Sequence, residues 1–173
     1  MKRWIIFLAA FLVLAVAAGC SSADAAEEEF EKYNNEDRIE LFEKSEKITE
    51  MEPELINLYS EPEKAKDYVD QEILPLLDDV KSQAEEVDEQ LETDEVKELH
   101  ALFLNQVSKL TELFELQAEL LELQAPPVSE EEQQQTEEKY PEMQQLSEEV
   151  DEIGQEYGDQ RKELEEKYNS SAS

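Results

Sequence analysis

The sequence predicts an all-α protein: an elongated antiparallel helical bundle or coiled coil of three to four helices after a cleaved signal peptide. Three observations carry that expectation. Ile73, Leu77, Val80, Ala84, Val87 and Leu91 recur at alternating steps of four and three, an unbroken heptad seam. Met143, Leu146, Val150, Ile153, Tyr157 and Leu164 form a second seam, with Gln160 as its one polar position. Between them, Val96, Leu99, Leu102, Phe103, Val107, Leu110, Leu113, Phe114, Leu120 and Leu121 make a broader stripe, wide enough to face two neighbours at once and so to belong to a central helix. No segment alternates with the period of two that a half-buried strand requires.

The N-terminus has the order of a secretory signal. Lys2 and Arg3 supply a positive start, Trp4 to Ala18 form an uncharged run, and Ala17, Ala18 and Gly19 lead up to Cys20. That run is too short to remain as a membrane span, because a hydrocarbon core of roughly 30 Å takes about 20 residues at about 1.5 Å each. An ordinary cut after Ala15-Val16-Ala17 would leave Cys20, the single cysteine, as a spare thiol. Small residues followed at once by cysteine instead resemble the lipobox of bacterial lipoproteins. The resemblance implies cleavage between Gly19 and Cys20 and lipid attachment to the Cys20 sulfur. The expected boundaries are then 1–19 for the signal peptide, 20–29 for a lipidated acidic tether, 30–168 for the bundle and 169–173 for a disordered tail.

Within the bundle the first segment, Phe30 to Tyr59, shows the weakest pattern, with Phe30, Tyr33, Ile39, Phe42, Ile48, Met51 and Leu55 at helical spacing. Pro53, Pro62 and Pro75 are expected to kink or restart the chain, Pro75 being tolerable in a first turn. Phase is lost between Leu91 and Val96, so LETDEV predicts a tight turn between antiparallel helices, with Thr93 and Asp94 as caps. Pro126 and Pro127 stop the next helix, and Ser129 with Glu132 makes a capping box for its successor. Pro141 predicts one more restart. Glu28 with Lys32, Glu40 with Lys44, Glu43 with Lys47 and Glu163 with Lys167 have the favoured i, i+4 order for ion pairs.

Charge is the dominant compositional feature: 47 Asp and Glu stand against 15 Lys and Arg, a net charge of −32. A surface this acidic repels nucleic acid, anionic headgroups and wall teichoic acids, so no nucleic-acid partner is expected. A solvated acidic face in a salty habitat, where repulsion is screened over about 8 Å or less, accounts for it; recruitment of a basic partner or of divalent cations is the alternative. Few aromatics with high charge is also a disorder signature, and the persistent periodicity stands against it.

Little in the chain is suited to catalysis. His100, in VKELHALF, is the only histidine; the residue three before it is Lys97, so the Glu-x-x-His motif of metal-binding bundles is missing, and His100 is expected at the edge of the stripe or on the surface. With Gly154 and Gly158 as the only glycines after residue 19, there is no phosphate loop or nucleophile elbow. Asp78-Asp79 and SEEEQQQTEE lack the spacing and turn glycine of an EF-hand. No catalytic residue, no metal site and no cofactor are expected. The six tyrosines read as edge-of-core residues.

A lipobox cysteine, a short acidic tether and about 140 residues of Glu-, Gln- and Lys-rich helices resemble the cell-wall-binding, YkyA-like lipoproteins of Bacillus-type bacteria. The motif that carries the likeness is AAGC at Ala17 to Cys20. The likeness implies a chain held on the extracytoplasmic face of the cell membrane through Cys20. Two classes of function follow. One is a noncatalytic helical interaction module at the envelope, docking an envelope protein or the cell wall through bridging cations or neutral glycans. The other is a substrate- or cation-binding lipoprotein serving a transporter. Oligomeric state is open.

Overall fold

The structure, a computed structural model, describes residues 24–171, with side chains as far as Asn169. Four helices fill this span. Helix α1 covers 24–58: an α-helical stretch at 24–32, a wider π-helical turn at Tyr33–Asp37, and a second stretch at Arg38–Leu58. Helix α2 covers 62–88 in the same three parts, Pro62–Tyr68, a π-helical turn at Val69–Ile73, and Leu74–Asp88. Helix α3 is Asp94–Leu123 and α4 is Glu130–Ser171. Short connections make each neighbour antiparallel to the last. The start of α1, the α2–α3 turn and the end of α4 meet at one end of the bundle, where Glu29 accepts a hydrogen bond from Thr93 N–H at 2.9 Å and the Tyr168 hydroxyl donates to Glu95 at 2.6 Å. The end of α1, the α3–α4 connection and the start of α4 meet at the other, where Gln117 donates to the Tyr59 hydroxyl and Gln124 to that of Tyr140.

The all-α bundle is therefore present in its four-helix form, and α3 is its central helix, packed against α2 and α4 and, through Tyr33 and Phe42, against α1. Every member of the early seam from Ile73 to Leu91 is buried, as are Val96, Leu99, Phe103, Val107, Phe114, Leu120 and Leu121 of the stripe. The late seam is shallower: Leu146, Tyr157 and Leu164 are buried, whereas Met143, Val150 and Ile153 remain half-buried. The expected turn lies between Asp88 and Asp94. The capping box closes reciprocally, Ser129 N–H donating to the Glu132 carboxylate at 2.6 Å and Glu132 N–H to Ser129 Oγ at 3.2 Å.

Several expectations are corrected. Residues 24–29, expected in the tether, are helical, and Ala26 lies in the core; α4 likewise runs to Ser171, into the expected tail. Pro53 and Pro141 neither kink into a break nor restart a helix but sit inside α1 and α4. Both are exposed, so the carbonyl each leaves without an amide partner lies on the solvent side, while Ile48 and Leu55 hold α1 to the core on either side of Pro53. Pro62 does open α2. Pro75 is accommodated by the π turn just before it, where Leu74 N–H reaches back five residues to the Val69 carbonyl. The other π turn rotates the α1 pattern: with one extra residue in the turn, the core position passes to Leu41, and Ile39 and Phe42 are left partly exposed at its edge. Two of the lysines expected in i, i+4 pairs reach across helices, Lys44 to Asp79 at 2.6 Å and Lys167 to Glu95 at 2.5 Å, while Lys66 does pair with Asp70 in the i, i+4 order.

Candidate functional site

Cys20, expected to carry the lipid, and Gly19, on the other side of the expected cut, lie outside the described residues. What the structure adds is the layout of the bundle that follows them: a polar chain through its middle, a carboxylate latch at the end where α1 begins, and an apolar groove at the far end.

The polar chain starts at His100, which is fully buried, not at the edge or the surface as its sequence neighbours suggested. The sequence signal was misleading because Leu99 and Ala101 flank it, yet the helix turns His100 toward α2 between Val96 and Phe103. Its Nε2 lies 2.8 Å from the Ala84 carbonyl oxygen, which can only accept, so Nε2 carries the proton. Nδ1 is then the acceptor, and the Tyr33 hydroxyl donates to it at 3.2 Å. Tyr33 in turn accepts from Tyr157, oxygen to oxygen at 3.2 Å. One directional chain thus ties α4 to α1, α1 to α3 and α3 to α2. Burial holds the His100 pKa below its ordinary value, against an upward pull from the Ala84 carbonyl, Asp88 and Asp37. Burial also pushes both tyrosines up, so every member is neutral. Both ring nitrogens of His100 are occupied within the core. Chemically the chain stitches helices together.

At the end where α1 begins, Glu29 accepts from the backbone N–H of Glu92 at 2.6 Å, from that of Thr93 at 2.9 Å, and from the Thr93 hydroxyl. Thr93 occupies the N-cap position of α3 but makes no cap of its own, contrary to expectation; a carboxylate from another helix satisfies the amides leading into α3. Burial alone would raise the Glu29 pKa, and these hydrogen bonds, with help from Lys97, outweigh it and hold the group below the usual range. Beside it, hydrogen bonds from Lys167 and Tyr168 hold Glu95 low as well.

At the far end, Tyr59, Gln117, Leu120, Leu121, Gln124, Tyr140 and Met143 line a groove of about 180 Å³. Tyr59 and Tyr140, expected at the edge of the core, are exposed at its mouth. Among the described residues no group of three or more His, Cys, Asp or Glu side chains is placed to hold a metal ion. No described helix is long and apolar enough to cross a membrane. No family model, curated protein or solved structure matches the chain.

Proposed function

We propose that the chain is a bacterial surface lipoprotein, similar to the YkyA-like family, held at the extracytoplasmic face of the membrane by a lipid on Cys20. Its bundle acts there as a noncatalytic interaction module of the cell envelope. The observation that supports this reading is the polarity of the bundle. Cys20 lies four positions before residue 24, and residue 24 belongs to the end marked by Glu29, Thr93 and Tyr168. An anchor at Cys20 therefore presents the opposite end outward, about 45 Å away along the thirty residues of α3. Of the six large apolar side chains that stay exposed among the described residues, Ile56, Tyr59, Val128 and Tyr140 belong to that outward end. Apolar side chains gathered at the end remote from the anchor suit a contact surface.

The test is metabolic labelling of a bacterial host with palmitate. The parent chain is expected to take up label, and Cys20→Ala to take up none, because the sulfur that accepts the diacylglyceryl group is gone. Equal label in the two chains would end the proposal.

A further inference from the structure

The groove at the outward end has a size and a rim that narrow its occupant. Its volume of about 180 Å³ is close to that of an apolar cavity able to take a benzene ring, about 150 Å³, and below the roughly 300 Å³ at which small-molecule sites begin. It fits one aromatic or branched side chain. Leu120 and Leu121, both buried, belong to its lining, and Gln117 and Gln124 hold the Tyr59 and Tyr140 hydroxyls at its mouth. Tyr59 and Tyr140 are 44% and 42% exposed, and Ile56 and Val128, at 60% and 49%, extend the apolar surface at this end.

The chain on either side of the α3–α4 connection is acidic. From 122 to 138 the chain carries Glu122, Glu130, Glu131, Glu132, Glu137 and Glu138 and no lysine or arginine. The nearby cations are already engaged, Lys66 with Asp70 at 2.6 Å and with Glu122 at 3.7 Å, and Lys139 with Glu119 at 2.8 Å. A second copy of a chain with net charge −32 would bring the same sign to this surface, so self-association here is opposed. We propose that the groove docks a basic segment of another envelope protein, one apolar side chain entering between Tyr59 and Tyr140 while flanking Lys or Arg residues lie against the glutamates. The lysines or arginines gain both the carboxylates and the faces of the two phenol rings.

The inference rests on the interaction-module part of the proposed function and is independent of the anchor. The full chain in detergent micelles, with its methionine methyl groups isotopically labelled, is titrated with a heptapeptide of one tryptophan between two runs of three lysines. The Met143 methyl resonance is expected to shift saturably. Replacing the tryptophan by alanine, or introducing Tyr140→Ser, is expected to weaken binding at least tenfold, and glutamates in place of the lysines to abolish it. Equal binding of the alanine peptide, or titration with no shift at Met143, overturns the proposal, and the peptide comparison stands even if Tyr140→Ser misfolds. Cys20→Ser is expected to bind as the parent does. A chain that takes up palmitate at Cys20 but ignores the peptide keeps its anchor and loses the groove; the converse keeps the groove and loses the anchor.

Discussion

Tyr33 and His100, sixty-seven positions apart, meet with hydroxyl oxygen and Nδ1 at 3.2 Å in a fully buried contact, their rings edge to face at 5.5 Å between centroids. Tyr33 opens the π turn of α1, so the one irregular turn in that helix coincides with its most buried polar side chain. A polar pair in an otherwise apolar core is tolerable only when every hydrogen-bonding group is matched, and here Ala84 and Tyr157 complete the set.

Stability is therefore expected to fall as the pH drops below about 6.5. The His100 pKa is lowered in the folded chain from its ordinary value of 6.5, so in this range the unfolded chain binds the extra proton first. The contribution is complete above the unfolded value and declines below it. Urea midpoints at pH 7.5 and 5.5 measure this window, which lies above the ordinary carboxylate range. His100→Phe should cost about 1 to 3 kcal/mol at pH 7.5 and remove most of the pH dependence. A variant that keeps the full dependence would show that other groups cause it.

Much of the fold was legible because a seam at steps of four and three leaves few alternatives. Ile73 to Leu91 is buried as the pattern requires, and Ser129 with Glu132 caps as their spacing requires. The misreadings come from tertiary effects that no local pattern contains. The extra residue in the Tyr33–Asp37 turn moves the core face from Ile39 to Leu41. Pro53 and Pro141 are strong local stop signals, overridden where packing on either side holds the helix and the proline faces water. The cap of α3 comes from Glu29, sixty-four positions before Thr93, and the outward groove brings Tyr59 together with Tyr140 across eighty-one positions. Neither pairing leaves a trace in local spacing.

Glu29→Ala is expected to cost about 1 to 2 kcal/mol, the usual loss for removing a helix cap, by leaving the amides of Glu92 and Thr93 without their acceptor. Because the Glu29 pKa is held below its ordinary value of 4.5, its contribution is present above that value and disappears as the pH falls through the folded one. Glu29→Gln should keep part of the effect through its remaining carbonyl oxygen. Hydrogen exchange at residues 92–95 gives the local readout: faster exchange in Glu29→Ala is expected, and unchanged protection would refute the cap.

The two glycines of α4 should respond differently to alanine. A Cβ at Gly158 would meet nothing within 4 Å, so Gly158→Ala should stabilise by about 0.5 to 1 kcal/mol through helix propensity. A Cβ at Gly154 would lie 2.6 Å from Gln106 Nε2, which donates to the Val150 carbonyl at 3.4 Å. Gln106 must swing aside and lose that bond, so Gly154→Ala should change stability by less than about 0.5 kcal/mol. Equal gains at both positions in urea denaturation would mean that α3 and α4 are less closely packed than the structure shows.

Salt should raise the melting temperature of the chain from residue 21 onward, and two opposing effects decide this sign. Salt weakens exposed attractions such as Lys44 with Asp79 and Lys139 with Glu119, but pairs of this kind contribute only about 0 to 1 kcal/mol each. It also weakens repulsion, and 47 acidic residues against the 13 basic ones that remain without Lys2 and Arg3 leave many more like-charge neighbours than pairs. The glutamates of 130–132 and 137–138 stand within the first three turns of one helix with no cation among them. At 0.01 M salt the Debye length of about 30 Å lets such charges act across the bundle, and at 1 M it shrinks to about 3 Å, less than the distance between neighbouring helices. Unfolding separates the charges and relieves the repulsion, so screening favours the folded state. A gain of roughly 1 to 2 kcal/mol corresponds to about 2 to 8 °C for a chain of this size. A circular-dichroism melt in sodium chloride measures it, and a melting temperature that falls between these salt concentrations would mean that attraction between the helices, not repulsion, dominates the surface.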